Sequence, residues 1–372
     1  MWLNNVETNT KKVILFVSND LVCDNRLHKM ASTLTNAGFN VLVVGRKRSD
    51  SLPLRDVPYN TKRLRFVFSK GPLFYAEMNL RYFFFLLFHQ FDIATANDLD
   101  TLLGVYCATW IRRKQIVYDS HEYFTEVPEL ANRPLVKRIW TAIERCLFPR
   151  LKNCITVCES IANIYTKTYG VPVRVVRNLP FLQEQYIETQ RNNKLILYQG
   201  SLNVGRGLEM LISTMEYLPD AKLLIVGDGD IKADLQKLVC QRKLGDRVEF
   251  TGKIPYPEVK NYTRQAAIGV SLEEDCCANY RFALPNKLFD YIQARTPVLV
   301  SDLPEMARII RQYGCGEVLA ERTEQNLAMQ IANMLEHQEK WREYAANCDA
   351  AAQELCWERE ERTVLDVYAR LS

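Results

Sequence analysis

At 372 residues, with 48% hydrophobic and 25% charged side chains, the chain has ordinary globular composition and is long enough for two domains. Its formal net charge is only +4, but residues 1–180 hold 25 Lys/Arg against 15 Asp/Glu while residues 181–372 hold 23 against 29, so the first half is expected to face an anionic partner. Zinc-ligand spacing and nucleic-acid motifs are missing, which argues against nucleic acid in that role, and the longest apolar run, Tyr82–Phe88, falls far short of the roughly 20 residues that cross a bilayer.

The opening MWLNNVETNTKK lacks an apolar stretch behind a basic start and is expected to be a frayed leader, not a secretion signal. Val13–Val17 then reads as a strand, Arg26–Ala37 as a helix stopped by Gly38, and Val41–Val44 as the next strand. Phe66–Phe91 interleaves aromatics with Lys70 and Arg81, a pattern that suits either a lipid interface or a buried helix. Ile93–Ala96, Gln115–Tyr118 and Cys154–Val157 are further buried strands, each followed by a helical pattern. The alternation predicts a parallel sheet with helices on both faces.

The pattern restarts after Asn178-Leu179-Pro180. Leu195–Tyr198, Lys222–Val226, Val248–Phe250, Ile268–Ser271 and Pro297–Val300 read as strands of a second unit, with the polar stretch Leu179–Asn193 as linker. A helix at Thr363–Leu371 follows a charged run and is placed to cross back onto the first domain. The expected fold is α/β, with two Rossmann-like doubly wound parallel-sheet domains facing a cleft: residues 1–180 with a C-terminal helix at about 360–372, and residues 181–359. Such sheets bind ligands at the carboxyl ends of their strands. The eleven cysteines form no C-x-x-C pair and are read as reduced core thiols of a cytosolic protein.

Two loops stand out. LILYQGSLNVGRG places Gly200, Ser201, Gly205, Arg206 and Gly207 between a strand and the expected helix Leu208–Leu218. Arg206 at a helix start opposes the helix dipole unless an anion is bound there. ALPNKLFDYIQARTPV carries Pro285, Asn286 as a helix cap, Lys287 in the first turn, and Asp290 on the same face as Lys287. Arg206 and Lys287 would cradle a diphosphate, and Asp290 would accept from two ribose hydroxyls; a plain Lys287–Asp290 surface pair is the alternative. Gly227 and Gly229 in VGDGD make a sharp strand-to-helix turn with an incomplete dinucleotide fingerprint.

On the first domain, YDSHEY ends a strand with His121 and Glu122, and Asn97 and Asp98 end another. His121 could donate to a sugar hydroxyl, act as an acid or base, or simply pack in its loop. Asp24 and Arg26 follow the first strand. Asp98–Asp100 and Asp228–Asp230 are Asp-x-Asp pairs without a supporting carboxylate cluster, and no metal site is expected.

Taken together, SNDLVCDNRLHKMASTLTNAGFNVLVV, ATANDLDTL, VYDSHEYFTE, ITVCESIANIYTKTYGVP with VVRNLP, LYQGSLNVGRGLEMLI, LLIVGDGD, VEFTGKIPYPEV and LPNKLFDYIQARTPVLVSDLPE resemble glycosyltransferase family 4 of the GT-B fold over nearly the whole chain. The resemblance implies retaining, metal-independent transfer from a nucleotide diphosphate sugar, with the acceptor on the first domain and the donor on the second. It implies no cofactor. Arg206 matches the residue gripping the donor diphosphate, Asp290 the second acid of E-x7-E, and His121 the active-site histidine. Gly252, Lys253 and Ile254 match the loop that reads the base. The first acid of E-x7-E would fall at Phe282, leaving Glu273, Glu274 or Asp275 as replacements. Arg, frequent in the family after the glycine at Gly200, is Ser201 here.

The expected activity is transfer to a saccharide or lipid-linked saccharide acceptor in cell-surface polysaccharide or glycolipid synthesis. Asp24, Arg26, Asn97, Asp98 and Glu122 would lie on the acceptor side. The expected location is cytoplasmic, peripheral on the inner membrane face, against anionic lipid. A nucleotide-sugar epimerase and a non-catalytic nucleotide-sugar binder are the alternatives.

Overall fold

The structure is a computed structural model that describes residues 10–22, 24–54, 56–183 and 191–371. The frayed-leader expectation and the middle of the expected linker fall largely outside these residues. The chain divides into two compact units, Met1–Asn178 with Glu360–Ser372, and Leu179–Arg359.

The first unit holds strands β1 (Lys12–Phe16), β2 (Asn40–Arg46), β3 (Asn60–Leu64), β4 (Ile93–Asn97), β5 (Gln115–Ser120), β6 (Cys154–Thr156) and β7 (Val173–Val175). They form one parallel sheet in the order β3-β2-β1-β4-β5-β6-β7. β4 is buried along its whole length, as a strand covered on both faces must be. The order switches direction at β1, so β1 and β4 flank the switch point where parallel sheets open for ligands. Asn97 stands in register with Asp119, which sets the loops after β4 and β5 side by side.

The first three helices of this unit are α1 (Asn25–Asn36), α2 (Gly71–Phe88) and α3 (Leu99–Arg112). The α2 sequence suits either a lipid-facing or a buried helix, and the helix has one buried face and one exposed apolar face. Phe74, Met78, Tyr82, Phe85 and Leu86 are buried, and Tyr82 donates to Val17 O at 2.6 Å, while Leu73, Leu80, Phe84 and Phe88 are exposed. No helix among the described residues is long and apolar enough to cross a membrane.

The second unit holds β8 (Asn192–Gln199), β9 (Lys222–Val226), β10 (Val248–Gly252), β11 (Ala266–Ser271), β12 (Val298–Val300) and β13 (Gly316–Val318), parallel in the order β10-β9-β8-β11-β12-β13. Its core gathers Ile196, Leu211, Ile225 and Ile268 on one side and Leu197, Phe289, Ile292 and Ile309 on the other.

Several expectations need correction. β3, β7 and β13 lie outside the strands that the sequence pattern predicts, and β3, β7 and β13 are all sheet edges. Leu179 is not linker: it is fully buried in the second unit's core, because one apolar residue in a polar stretch suffices to anchor it. Arg191 likewise donates to Ala266 O and Ala294 O. The final helix starts at Trp357, not Thr363, and takes the charged run into its first turns, where Glu360 binds Arg177 at 2.6 and 2.8 Å. Only part of the cysteine reading holds: Cys154, Cys158, Cys315, Cys348 and Cys356 are buried, while Cys146, Cys240 and Cys276 are exposed.

Candidate functional site

Each unit gathers its candidate residues at the carboxyl end of its own sheet. In the first unit the anchor is Asp119, fully buried at the end of β5. Arg26, near the start of α1, grips it with two bonds, Nε to Oδ2 at 2.9 Å and Nη2 to Oδ1 at 2.6 Å, and spends its third donor on Val176 O at 2.6 Å. Burial alone would raise the Asp119 carboxyl, but Arg26 and His121 outweigh it and hold the group well below the usual carboxylate range. Asp24 caps α1 by accepting from Leu27 N at 2.9 Å. Asn97 Nδ2 donates to Phe16 O at 2.8 Å and ties β4 to β1 from a buried position. Asp24, Arg26 and Asn97 therefore build the platform.

His121 rests on that platform between two acids. Nε2 lies 3.2 Å from Asp119 Oδ2 and Nδ1 lies 3.4 Å from Asp98 Oδ2. Asp98 also accepts from the His121 backbone N–H at 2.7 Å. Its own backbone sits at φ 62, ψ 165, a region costly for a residue with a side chain and one that recurs at functional sites. Burial disfavours the imidazolium, but the Asp98 and Asp119 carboxylates prevail and push His121 up to about 9. Burial, with Glu122 and Asp100 adding, raises Asp98 against the pull of His121, and burial raises Asp100 to about 6. Each ring nitrogen of His121 thus faces an acid oxygen, an arrangement that favours its protonated form. Both contacts hold the ring in place and suit the donor role considered from sequence.

In the second unit the centre is one of the three acids that the sequence leaves open. Glu273, fully buried just past β11, faces Lys287 Nζ at 2.9 Å and Arg206 Nη1 at 3.3 Å through Oε1, and accepts from Ser271 Oγ at 2.7 Å through Oε2. Burial raises its carboxyl, but Lys287 and Arg206 bring it below the ordinary range. Glu274 pairs with Arg322, and Asp275 with Arg281. Lys287 Nζ also stands 4.0 Å from the Tyr198 ring centre, and the Arg206 guanidinium 4.6 Å from that of Tyr280. Two cations thus share one acid, and Arg206 Nε is buried without a hydrogen-bond partner among the described residues.

Part of the charge that Arg206 calls for at a helix start comes from within the chain. Arg206 precedes Gly207, the cap of a short helix, Leu208–Thr214, and its charge is met by Glu273. Asn286 is not the cap expected: Pro285 holds that position, and Asn286 is the exposed first helical residue of Asn286–Gln293. Lys287 and Asp290 do not pair. Asp290 accepts from Tyr256 OH at 2.6 Å and Gln199 Nε2 at 3.0 Å, and borders a small pocket with both of them.

The glycine loops lie together. Gly227, at φ 149, approaches so closely that an added Cβ would stand 1.9 Å from Gly200 O, and its N–H donates to Gly252 O at 3.1 Å. Gly205 O accepts from Glu274 N at 2.8 Å, and Gly229 lies against Leu202. Ser201 and Lys253 are exposed, and Ile254 is half-buried. Asp228 pairs with Lys232 at 3.5 Å. Among the described residues no three His, Cys, Asp or Glu side chains gather in a metal-holding group.

Two parallel-sheet α/β units, each with its charged residues at the carboxyl ends of the strands, define the GT-B class of fold. Residues 24–179 match the family "Glycosyltransferase Family 4" and residues 183–354 match "Glycosyl transferases group 1"; the chain belongs to this glycosyltransferase family. It is 26% identical over 139 residues to 2-deoxystreptamine glucosyltransferase of Streptomyces kanamyceticus (32% of this chain, 36% of the relative). It is 24% identical over 168 residues to the O-antigen chain mannosyltransferase RfbU of Salmonella typhimurium (43% and 45%). These matches span less than half the length of either relative. In structure it resembles sucrose-phosphate synthase of Thermosynechococcus elongatus, with a TM-score of 0.78 and 18% identity over 97% of this chain and 99% of that one. It also resembles Anabaena HepE in complex with UDP and glucose, with a TM-score of 0.73 and 14% identity over 97% and 100%. At these identities the structural likeness is one of fold.

Proposed function

We propose that the chain is a retaining, metal-independent glycosyltransferase that moves a sugar from a nucleotide diphosphate sugar to a hydroxyl of a saccharide or lipid-linked saccharide. Residues 181–359 take the donor; residues 1–180 with the C-terminal helix take the acceptor. The observation that carries this reading is the Glu273–Lys287–Arg206 cluster, where two cations share one buried acid beside the Gly200 and Gly227 turns. A donor diphosphate would bring the charge that this cluster lacks. The resemblance to HepE, solved with UDP and glucose, agrees with a nucleotide-sugar donor.

When the bond from the anomeric carbon to the β-phosphate breaks, charge grows on the leaving phosphate. Arg206 and Lys287 are held in advance and need little reorganisation to meet it, the arrangement that contributes most in such sites. They supply the charge a metal would otherwise supply. Glu273 is held as a carboxylate by both cations and is thereby tied to positioning them. Attack on the same face, with the leaving phosphate taking the acceptor's proton, then needs no enzyme base, which fits a His121 that is already protonated. His121 would orient the acceptor or the transferred sugar as a cationic donor, exchanging its Asp98 contact for a hydroxyl.

The acceptor class points to cell-surface polysaccharide or glycolipid synthesis and to a peripheral position on an anionic membrane face. The test is a panel of UDP-, GDP-, ADP- and dTDP-sugars followed by nucleotide release and anomeric configuration of the product. Inverted product, or no nucleotide release with any donor and acceptor, would sink the reading.

A further inference from the structure

The first unit contains a cavity that the proposed chemistry does not use. It has a volume of about 650 Å³ and lies where α3 ends and β5 and β6 begin, at the opposite end of the sheet from Asp98 and His121. Arg113, Lys114, Arg150 and Lys152 line it together with Tyr106 and Trp110, and among the described residues no acidic one does. Lys114 is paired with Asp92 at 2.9 Å, but Arg113 and Lys152 form no ion pair among the described residues. This size suits a small ligand group, and this charge suits an anion.

Its surroundings identify the anion's carrier. Trp110, on the rim, is 71% exposed, and Ile111 beside it is exposed as well. On α2, Leu73, Leu80, Phe84 and Phe88 stand out from the surface, Phe88 at 81% exposure, at the spacing of one helical face. Arg112 fastens the two helix ends by donating to Leu86 O at 2.8 Å and His89 O at 2.6 Å, so the end of α2 that carries Phe88 lies against the end of α3 that precedes the cavity. From Leu73 to Phe88 the stripe runs roughly 22 Å toward the cavity, at about 1.5 Å per residue. A free phosphorylated metabolite needs the cations alone; a nucleic acid has no use for a row of leucine and phenylalanine. An anionic lipid surface uses both, with cations at the headgroups and tryptophan at the interface.

We propose that this flank of the first unit docks on an anionic phospholipid surface, with a lipid headgroup phosphate in the cavity between Arg113 and Lys152 and with Trp110, Ile111 and Phe88 in the interfacial layer. The inference rests on the lipid-linked form of the acceptor proposed above and names the surface that would meet it.

The experiment is sedimentation of the full chain with phosphatidylcholine vesicles containing rising phosphatidylglycerol, at low and high salt. Wild type should sediment with the anionic vesicles and lose binding as salt rises. Arg113→Glu with Lys152→Glu should weaken that binding at least tenfold, Trp110→Ser should weaken it without altering its salt dependence, and UDP should stabilise wild type and both variants equally. Wild type remaining in the supernatant, or the double variant sedimenting like wild type, would overturn the proposal. So would stabilisation by glycerol 3-phosphate without sedimentation, or an oligonucleotide that binds more tightly than the vesicles and is lost in the double variant. Nucleotide release from the donor in the presence of soluble acceptors separates the two readings: release without vesicle binding rejects only this surface, and vesicle binding without release from any donor rejects only the catalysis.

Discussion

Lys287 and Glu273 form a buried ion pair, Nζ to Oε1 at 2.9 Å, and Arg206 approaches the same oxygen at 3.3 Å. One carboxylate therefore restrains two cations and leaves a net positive charge with a buried guanidinium N–H still unmet. A diphosphate entering here gains a charge-assisted contact without having to order flexible side chains first.

Arg206→Ala should weaken nucleoside diphosphate binding and lower kcat/KM by at least about tenfold, since a hydrogen bond to a charged group contributes roughly 1.5–3 kcal/mol. Lys287 still pairs with Glu273 in this variant, so the fold should survive. Calorimetric titration with UDP and GDP decides it; a Kd equal to wild type removes Arg206 from the donor site.

Glu273→Gln should separate stability from binding. Removing one partner of a buried pair costs about 3–5 kcal/mol, so the melting temperature should fall. The cations it releases should then hold a nucleoside diphosphate more tightly than in wild type. Because Lys287 and Arg206 hold Glu273 below its ordinary value against burial, its stabilisation is complete above the unfolded value of about 4.3 and is lost as pH falls through the lower folded value. The gap between variant and wild-type melting temperatures should close on acidification. A gap that is constant down to the lowest pH where wild type folds would contradict the ion-pair account.

His121 should titrate near 9 by NMR, because Asp98 and Asp119 outweigh its burial. A folded value above the unfolded value of about 6.5 means that its stabilisation is fully present below the unfolded value and disappears as pH rises through the folded one. Turnover should fall over the same upper range if the cation orients a hydroxyl. Asp98→Asn should move both transitions down, and His121→Ala should cut kcat while leaving nucleotide affinity near wild type. An imidazole titrating at or below its unfolded value would show that the acids do not hold the proton.

Most of the fold is legible because its central strands carry apolar runs; VILF of β1, LILY of β8 and LLIV of β9 announce themselves. β3 (NTKRL), β7 (VRV) and β13 (GEV) do not, because an edge strand pairs on one side only and needs neither length nor a continuous apolar run. The site is legible where a glycine or a lone basic residue marks a turn, as at Gly207, Gly227, Arg206 and Lys287. It is not legible at Glu273, because nothing in the run Glu273-Glu274-Asp275 tells which acid faces inward. Only the partners do: Lys287 and Arg206 for Glu273, Arg322 and Arg281 for the other two. Asn286 has the side chain of a cap but not the place of one, because Pro285 already supplies the extended residue before the helix.

Turnover should persist in excess EDTA. The cations already fixed at Arg206 and Lys287 are proposed to meet the leaving charge, so added Mg²⁺ or Mn²⁺ should change kcat little. Loss of nucleotide release on chelation, with recovery on adding either metal, would return Asp98–Asp100 and Asp228–Asp230 to consideration.

Gly227→Ala should damage the donor loops without touching a charge. The φ of 149 is one that an alanine rarely adopts, and its Cβ would stand 1.9 Å from Gly200 O, a backbone atom that cannot turn aside as a side chain would. Strain of this kind costs about 1–3 kcal/mol, and in a domain of this size each kcal/mol lowers Tm by roughly 2–4 °C. The displaced Gly200 borders Lys287, whose Nζ is 3.9 Å from the position a Cβ would take at that glycine, so nucleotide affinity should drop together with Tm. Gly245→Ala is the matched control: a Cβ there meets nothing within 4 Å, and both quantities should stay near wild type. Thermal melts and UDP titration of the two variants side by side suffice, and a Gly227→Ala protein that behaves like Gly245→Ala in both would show that the close approach of the two turns carries neither stability nor binding.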